Sequence, residues 1–136
     1  MKQQLLAAIE KTRQYTLNMG EAMPAEKYNF KPDSAVWTYG ELMHHIAYGI
    51  VWMEENYLRK TKSEWNPPKT DGKKTEVMNY LKQSLDILQR SVASTGEVSE
   101  DFINSFYLII EHTAHHRGQA TTYLRCCKIV PPEYPF

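Results

Sequence analysis

The chain has 136 residues, with 16 Lys or Arg balanced by 16 Asp or Glu, so its formal net charge is zero. This length predicts a single domain, residues 1–136, with a buried core. The charge balance argues against nucleic acid or an anionic membrane surface as the main binding partner. No apolar run approaches the roughly 20 residues that a membrane-spanning helix needs, and the N-terminal segment becomes charged too soon for a signal peptide.

Hydrophobic periodicity predicts four helices and no strand. Apolar and charged residues alternate with a helical period over residues 2–19, and Gly20 is the expected C-cap of this first helix. Residues 21–37 contain two prolines and no sustained period, which predicts a structured loop. We expect the aromatic side chains of this loop to pack across one end of the helices: Tyr28, Phe30 and Trp37.

A second helix is predicted from the T-x-x-E capping box of Thr38 and Glu41 to about Lys60. A proline pair and an Asp-Gly then predict a loop over residues 61–72. The third helix is expected over residues 75–93. Its inward-facing stripe is Val77, Met78, Leu81, Leu85, Leu88 and Val92.

The fourth helix is predicted over residues 100–127, because the proline-rich tail after it cannot continue a helix. Its expected inward face is Phe102, Ser105, Leu108, Ile109, His112, His116, Gln119, Ala120 and Tyr123. Four helices of this length predict an all-α four-helix bundle. The long loop between helices 1 and 2 allows a crossover in place of simple up-down order.

The five histidines fall into two groups, at 44–45 and at 112–116. His112 and His116 are four residues apart, which on a helix is a rotation of about 40° and puts both on one face. His45 continues the inward stripe of helix 2, whereas His44 is turned away by about 100°. Burying several imidazoles together without hydrogen-bond partners costs free energy, and a shared divalent cation removes that cost. We therefore predict a metal site formed by His45, His112 and His116.

The neighbouring polar residues have plainer interpretations. We expect His44 and His115 either to support the metal ligands or to be exposed, and Glu111 to be a solvated helix charge. Cys126 and Cys127 are adjacent, which is poor geometry for a disulfide, so we interpret them as reduced thiols of a cytoplasmic protein.

Several aromatic residues lie on or near the two histidine-bearing helices. They either line a substrate pocket or belong to the ordinary core: Tyr48, Trp52, Tyr107 and Tyr123.

Four segments resemble the DinB/YfiT-like family of small bacterial metalloproteins. These are HTAHHRGQ at 112–119, TYGELMHHIA at 38–47, MPAEKYNFKP at 23–32 and IVPPEYPF at 129–136. The resemblance implies a four-helix bundle, a three-histidine site for Zn or Ni, and a homodimer. On matching positions its ligands are again His45, His112 and His116.

The resemblance also covers Arg117, Gly118 and Gln119. We assign these residues to helix packing and hydrogen bonding, with Gly118 permitting a close approach between helices.

Three neutral imidazoles leave a divalent cation with at least one open position, as in catalytic zinc sites. Such a cation can lower the pKa of bound water to about 7 or bind and activate a thiolate. The resemblance favours the second use and implies a thiol-dependent S-transferase, working with a low-molecular-weight thiol on a small-molecule electrophile in detoxification or stress response. Two alternatives stay open: a metal-dependent hydrolase, and a non-enzymatic metal-binding dimer whose site is closed by a fourth protein ligand.

Overall fold

The computed structural model describes residues 1–135. These residues form four α-helices and no β-strand: α1 (Lys2–Ala22), α2 (Tyr39–Met53), α3 (Lys74–Ser94) and α4 (Glu100–Cys126). The predicted all-α four-helix bundle is therefore confirmed, and each helix lies close to its predicted position.

The start of α2 is fixed by the predicted capping box. Thr38 Oγ1 accepts a hydrogen bond from the Glu41 backbone N–H at 3.1 Å, and Glu41 Oε2 accepts one from the Thr38 N–H at 2.8 Å. The end of the helix differs from the prediction, because α2 passes into a π-helical turn over Glu54–Leu58. This turn carries Glu54 to a fully buried position, where its carboxylate accepts a hydrogen bond from Arg59 Nε at 2.8 Å.

The order of the helices around the bundle requires a crossover. Both α1 and α2 pack against α3 and α4, so α1 and α2 lie on opposite corners. The connection between them, residues 23–38, contains a short 3-10 turn over Ala25–Lys27 and spans one end of the bundle. The long loop predicted between helices 1 and 2 thus provides the diagonal connection.

The core confirms the α3 stripe and corrects the α4 face. All six apolar residues predicted to face inward on α3 are buried. On α4, however, Leu108 is 50% exposed and Gln119 is also exposed, whereas Phe106 is buried in place of Leu108. The run from Phe106 to Ile110 offers apolar side chains in several directions, and the face that becomes buried is set by contact with both α1 and α2.

Two expectations about glycines were wrong. Gly20 does not end α1, because the helix continues to Ala22. Gly20 instead lies against α3, where a Cβ added to it would be 2.3 Å from Met78 Sδ. Gly118 does not permit a close helix contact, since no atom outside its own helix would lie within 4 Å of a Cβ there. Gly20 is therefore the position at which α1 and α3 approach closely.

Arg117 joins α4 to α1, as expected for a packing and hydrogen-bonding residue. Its side chain is 6% exposed, and its Nη1 donates to Thr16 Oγ1 at 3.1 Å and to the Thr12 carbonyl at 3.3 Å. The guanidinium also lies 4.9 Å from the ring centroid of Tyr15. Burial lowers the pKa of Arg117, and these contacts compensate part of the cost of burying the cation.

Candidate metal centre

The three histidines predicted as metal ligands lie together between α2 and α4. His116 Nε2 is 3.1 Å from His45 Nε2 and 3.2 Å from His112 Nε2. All three ligand atoms lie within 4.8 Å of one another, and no fourth His, Cys, Asp or Glu of residues 1–135 joins the group. The structure thus brings together the histidines that the helical spacing selected.

Gln119 fixes the tautomer of His116. Its Oε1 lies 2.8 Å from His116 Nδ1, so Nδ1 carries the proton and donates it. The lone pair of neutral His116 is therefore on Nε2, the nitrogen that faces His45 and His112. Such a hydrogen bond on the outer nitrogen is the usual arrangement for a metal-binding imidazole.

The environment of the cluster favours neutral imidazoles. Burial, followed by the nearby His116 and His112 rings, lowers the pKa of His45 to about 4. Burial and the neighbouring His116 and His115 likewise lower the pKa of His112 to about 4. Burial also lowers the pKa of His116, although its hydrogen bond to Gln119 acts in the opposite direction. Neutral imidazoles at pH 7 are the form that binds a metal.

Two of the three nitrogen–nitrogen spacings match those around a bound divalent cation. Zinc bound tetrahedrally at about 2.0–2.1 Å from each nitrogen separates neighbouring nitrogens by about 3.3 Å. The two Nε2–Nε2 distances of 3.1 and 3.2 Å are close to that value. The donor set alone suits Zn and Ni equally, so the structure supports a divalent metal site without selecting the metal.

Two half-exposed tryptophans flank His45. The ring of Trp37 lies 4.6 Å from the His45 ring and 6.2 Å from that of His116, measured between centroids. Trp65 approaches His45 from the loop after α2, at 5.6 Å. Trp37 and Trp65 are 46% and 47% exposed, so the aromatic pair that packs on His45 is itself accessible to solvent. Trp37 was expected to pack across the end of the bundle with Tyr28 and Phe30; it packs instead on the histidines.

The segment that carries Trp65, residues 61–70, is held along α2 as a strap. Four side chains at four-residue spacing hold it: His44, Tyr48, Trp52 and Asn56. At one end His44 Nε2 donates to the Pro68 carbonyl at 3.0 Å. In the middle the Tyr48 hydroxyl accepts from the Asn66 N–H at 2.7 Å.

At the other end, Trp52 Nε1 donates to the Ser63 carbonyl at 3.1 Å and Asn56 Nδ2 donates to Ser63 Oγ at 2.9 Å. Trp65 itself packs edge-on against Tyr48 and Trp52, with centroids 4.6 and 5.3 Å apart. Helical periodicity did not predict that these four side chains of α2 hold a loop. The sequence does contain an indication of it: side chains with polar atoms recur every four residues on α2, and the loop that follows contains a proline pair.

The remaining candidate residues are distributed as follows. His44 is buried against Tyr80 and the strap, so it is neither a partner of the metal ligands nor exposed. His115 and Glu111 are exposed, as expected. Tyr107 is 46% exposed on α4, which contradicts a role in the core.

Tyr123 is buried, and its hydroxyl donates to the Trp37 carbonyl at 2.7 Å, which holds the Trp37 backbone beside the cluster. The two cysteines at the end of α4 are free thiols, as predicted. They are not part of the histidine group.

The same helices and histidines are covered by a known family. The sequence model of the DinB superfamily matches residues 8–120, which include His45, His112 and His116. The chain belongs to the DinB superfamily. This assignment agrees with the helical bundle, and the three clustered histidines of this DinB-like chain could hold a metal ion.

A comparison of this DinB-like chain with curated proteins gave no match. Within residues 1–135, no helix is both long and apolar enough to cross a membrane.

Proposed function

We propose that this DinB-superfamily protein is a metal-dependent S-transferase. It joins a low-molecular-weight thiol to a small electrophile, with His45, His112 and His116 holding Zn or Ni. The observation that carries the proposal is that the Nε2 atoms of the three histidines converge. Two half-exposed tryptophans, Trp37 and Trp65, lie beside them. Three protein ligands leave room for a substrate atom, as in catalytic metal sites.

The proposed reaction balances without a redox partner. A thiol RSH and an electrophile R′X give RSR′ and HX: the C–S bond forms, the C–X bond breaks, and X leaves with the bonding electron pair. The thiol proton is released to solvent. When bound, the divalent cation supplies a Lewis-acidic site that favours the thiolate form of RSH at neutral pH.

The protein's own residues hold and orient this centre. Gln119 keeps the proton of His116 on Nδ1 and so directs its Nε2 lone pair into the cluster. Tyr123 and Tyr48 hold Trp37 and the strap in place by one hydrogen bond each. The rings of Trp37 and Trp65 pack on His45 and help to hold its orientation.

The composition of the cluster is consistent with S-transfer. Hydrolysis by activated water is normally assisted by a general base within hydrogen-bonding reach. In the described part of the chain, no carboxylate joins the three histidines. A metal-bound thiolate is itself the nucleophile and needs no such base, which supports the proposed S-transfer.

Product formation tests the proposal directly. Protein loaded with zinc or nickel is incubated with 2-chloroacetophenone and a panel of thiols, such as cysteine, glutathione and coenzyme A, and the thioether is quantified by mass spectrometry. We expect at least one thiol to react faster than with metal-free protein or with His112→Ala. Equal rates with all three protein samples for every thiol would contradict S-transfer, and loss of the electrophile to the corresponding alcohol would favour the hydrolase.

Two further expectations stay predictions. The homodimer implied by the family resemblance is tested by sedimentation equilibrium at several protein concentrations. A cytoplasmic stress-response role is tested by locating the protein in its native cell before and after exposure to a thiol-reactive electrophile.

A further inference from the structure

A cavity of about 370 Å³ lies directly beside the histidine cluster. One wall is the end of the loop before α2, including Val36 and Trp37, and the other wall is α4, with Gln119, Thr122 and Tyr123. The histidines themselves do not line it. It is therefore a neighbouring space and not the metal position.

Two residues connect the cavity with the cluster. Trp37 lines the cavity and packs on His45 with ring centroids 4.6 Å apart. Gln119 lines the cavity and accepts the hydrogen bond from His116 Nδ1 at 2.8 Å. A molecule seated in the cavity thus touches the side chains that contact two of the three histidines.

The lining defines the chemistry of the occupant. No Lys, Arg, Asp or Glu lines the cavity, so nothing there would compensate the charge of an ionic group. Val36 and Trp37 are 39% and 46% exposed, which leaves adjoining apolar surface for a ligand to cover. Because Gln119 Oε1 is engaged with His116, the amide offers its N–H₂ as a donor towards a ligand.

The cavity is preformed. The Trp37 backbone is fixed by the hydrogen bond from the Tyr123 hydroxyl at 2.7 Å and by the capping box that begins at the next residue, Thr38. Upstream, Asp33 Oδ1 accepts from the Ala35 N–H at 2.8 Å. A pocket that needs no rearrangement loses less free energy to ordering when it binds a ligand.

We propose that this cavity binds the neutral, apolar end of the electrophilic substrate, an aromatic or branched aliphatic group bearing a carbonyl-type acceptor. The acceptor bonds to the Gln119 amide, and the apolar group covers Val36 and Trp37. Binding energy from this remote part of the substrate positions its reactive carbon beside the histidines. Thr122, the small side chain on the α4 wall, sets the size of the group that fits. The inference rests on the proposed function for its reactive partner.

The binding test uses acetophenone, which has an aromatic ring and a carbonyl but no leaving group. It is titrated into zinc-loaded full-length protein and followed by ¹H–¹⁵N NMR. We expect saturable shifts at the cavity residues, and affinity at least about tenfold lower for N-methylacetamide, which keeps the acceptor without the ring.

Substitutions that fill the cavity make the test specific. Thr122→Trp, from the helix wall, and Ala35→Trp, from the loop wall, should each weaken acetophenone binding by at least about tenfold. Asn104→Trp places the same side chain on an exposed position of α4 that does not line the cavity, and it should bind acetophenone as the parent does. Unchanged affinity in both cavity variants, or no saturable binding by the parent, would overturn the inference.

Zinc uptake by the same samples separates this inference from the proposed function. If the parent binds acetophenone in the cavity but takes up no zinc, the cavity is a neutral-ligand site and the S-transferase proposal fails. If zinc binds and turnover occurs while acetophenone does not bind, the transferase stands and the cavity inference fails.

Discussion

Gly49 of α2 and His112 of α4 are in such close contact that a side chain at position 49 would overlap the imidazole. A Cβ built on Gly49 would lie 2.4 Å from His112 Cε1 and 2.9 Å from His112 Nδ1. Cβ contacts shorter than 3.0 Å essentially do not occur, so either the helix or the imidazole ring would have to shift to relieve them. The missing side chain at Gly49 is therefore what lets His112 reach the other two histidines.

Gly49→Ala should weaken metal binding by about tenfold or more, because the displaced His112 ring no longer presents Nε2 to the cluster. The affinity is measured by competition with a chromophoric chelator. The matched control is Gly118→Ala, at a position where an added Cβ meets nothing within 4 Å. This control should keep the parent affinity and gain about 0.5–1 kcal/mol of stability from its higher helix propensity. Equal metal affinity in the two variants would contradict the role of Gly49.

Gln119 should control metal affinity through the tautomer of His116. Gln119→Leu removes the acceptor for the Nδ1–H and is expected to lower the affinity by about 10- to 100-fold, as for other such partners. Gln119→Glu keeps an acceptor at the same position, and its metal affinity should equal or exceed that of the parent. A chelator-competition titration of both variants distinguishes a hydrogen-bonding role from simple packing, which would affect the two alike.

The metal-free protein should lose stability as the pH falls from about 6.5 to about 4. The ordinary pKa of 6.5 applies to the unfolded chain, whereas the pKa of His45 and of His112 is about 4 in the folded protein. Over this window the unfolded state takes up protons that the folded state does not, so the free energy of unfolding falls with pH. Below about pH 4 the two histidines are protonated in both the folded and the unfolded state, so their effect on the free energy of unfolding levels off.

Urea unfolding at several pH values measures this effect. In the double variant with His45→Gln and His112→Gln, the free energy of unfolding should depend less steeply on pH between about 6.5 and 4. A dependence as steep as that of the parent would show that other groups cause it.

The hydrogen bonds that hold the strap, residues 61–70, should order Trp65. Tyr48→Phe removes the acceptor for the Asn66 N–H and should cost about 0.5–1.5 kcal/mol of stability. It should also increase the quenching of tryptophan fluorescence by acrylamide. Tyr107→Phe removes a hydroxyl from an exposed ring on α4 and serves as the control, with neither change expected. Parent-like quenching in Tyr48→Phe would mean that the aromatic contacts alone hold Trp65.

Much of the bundle follows from local signals. The capping box at Thr38 and the apolar period of α3 depend on residues a few positions apart, and both were predicted correctly. The histidine cluster followed from combining the i, i+4 spacing of His112 and His116 with the inward position of His45. Each of these signals lies within one helix.

The errors concern contacts between distant segments. Phe106 and Leu108 are equally apolar, and only the position of α4 between α1 and α2 determines that Phe106 is buried. The placing of Trp65 on His45 depends on how a loop folds back along α2, and the contact of Gly49 with His112 depends on the distance between two helices. Helical periodicity carries no information about how a loop folds back or how closely two helices approach.

Elemental analysis of purified, untagged protein shows whether the three histidines bind one divalent metal ion. We expect about one Zn or Ni per chain, lost in His45→Ala, His112→Ala and His116→Ala but kept in His115→Ala, at an exposed position outside the cluster. A parent protein with no bound metal and no uptake of added Zn or Ni would rule out a three-histidine metal site, as would full occupancy in the three cluster variants.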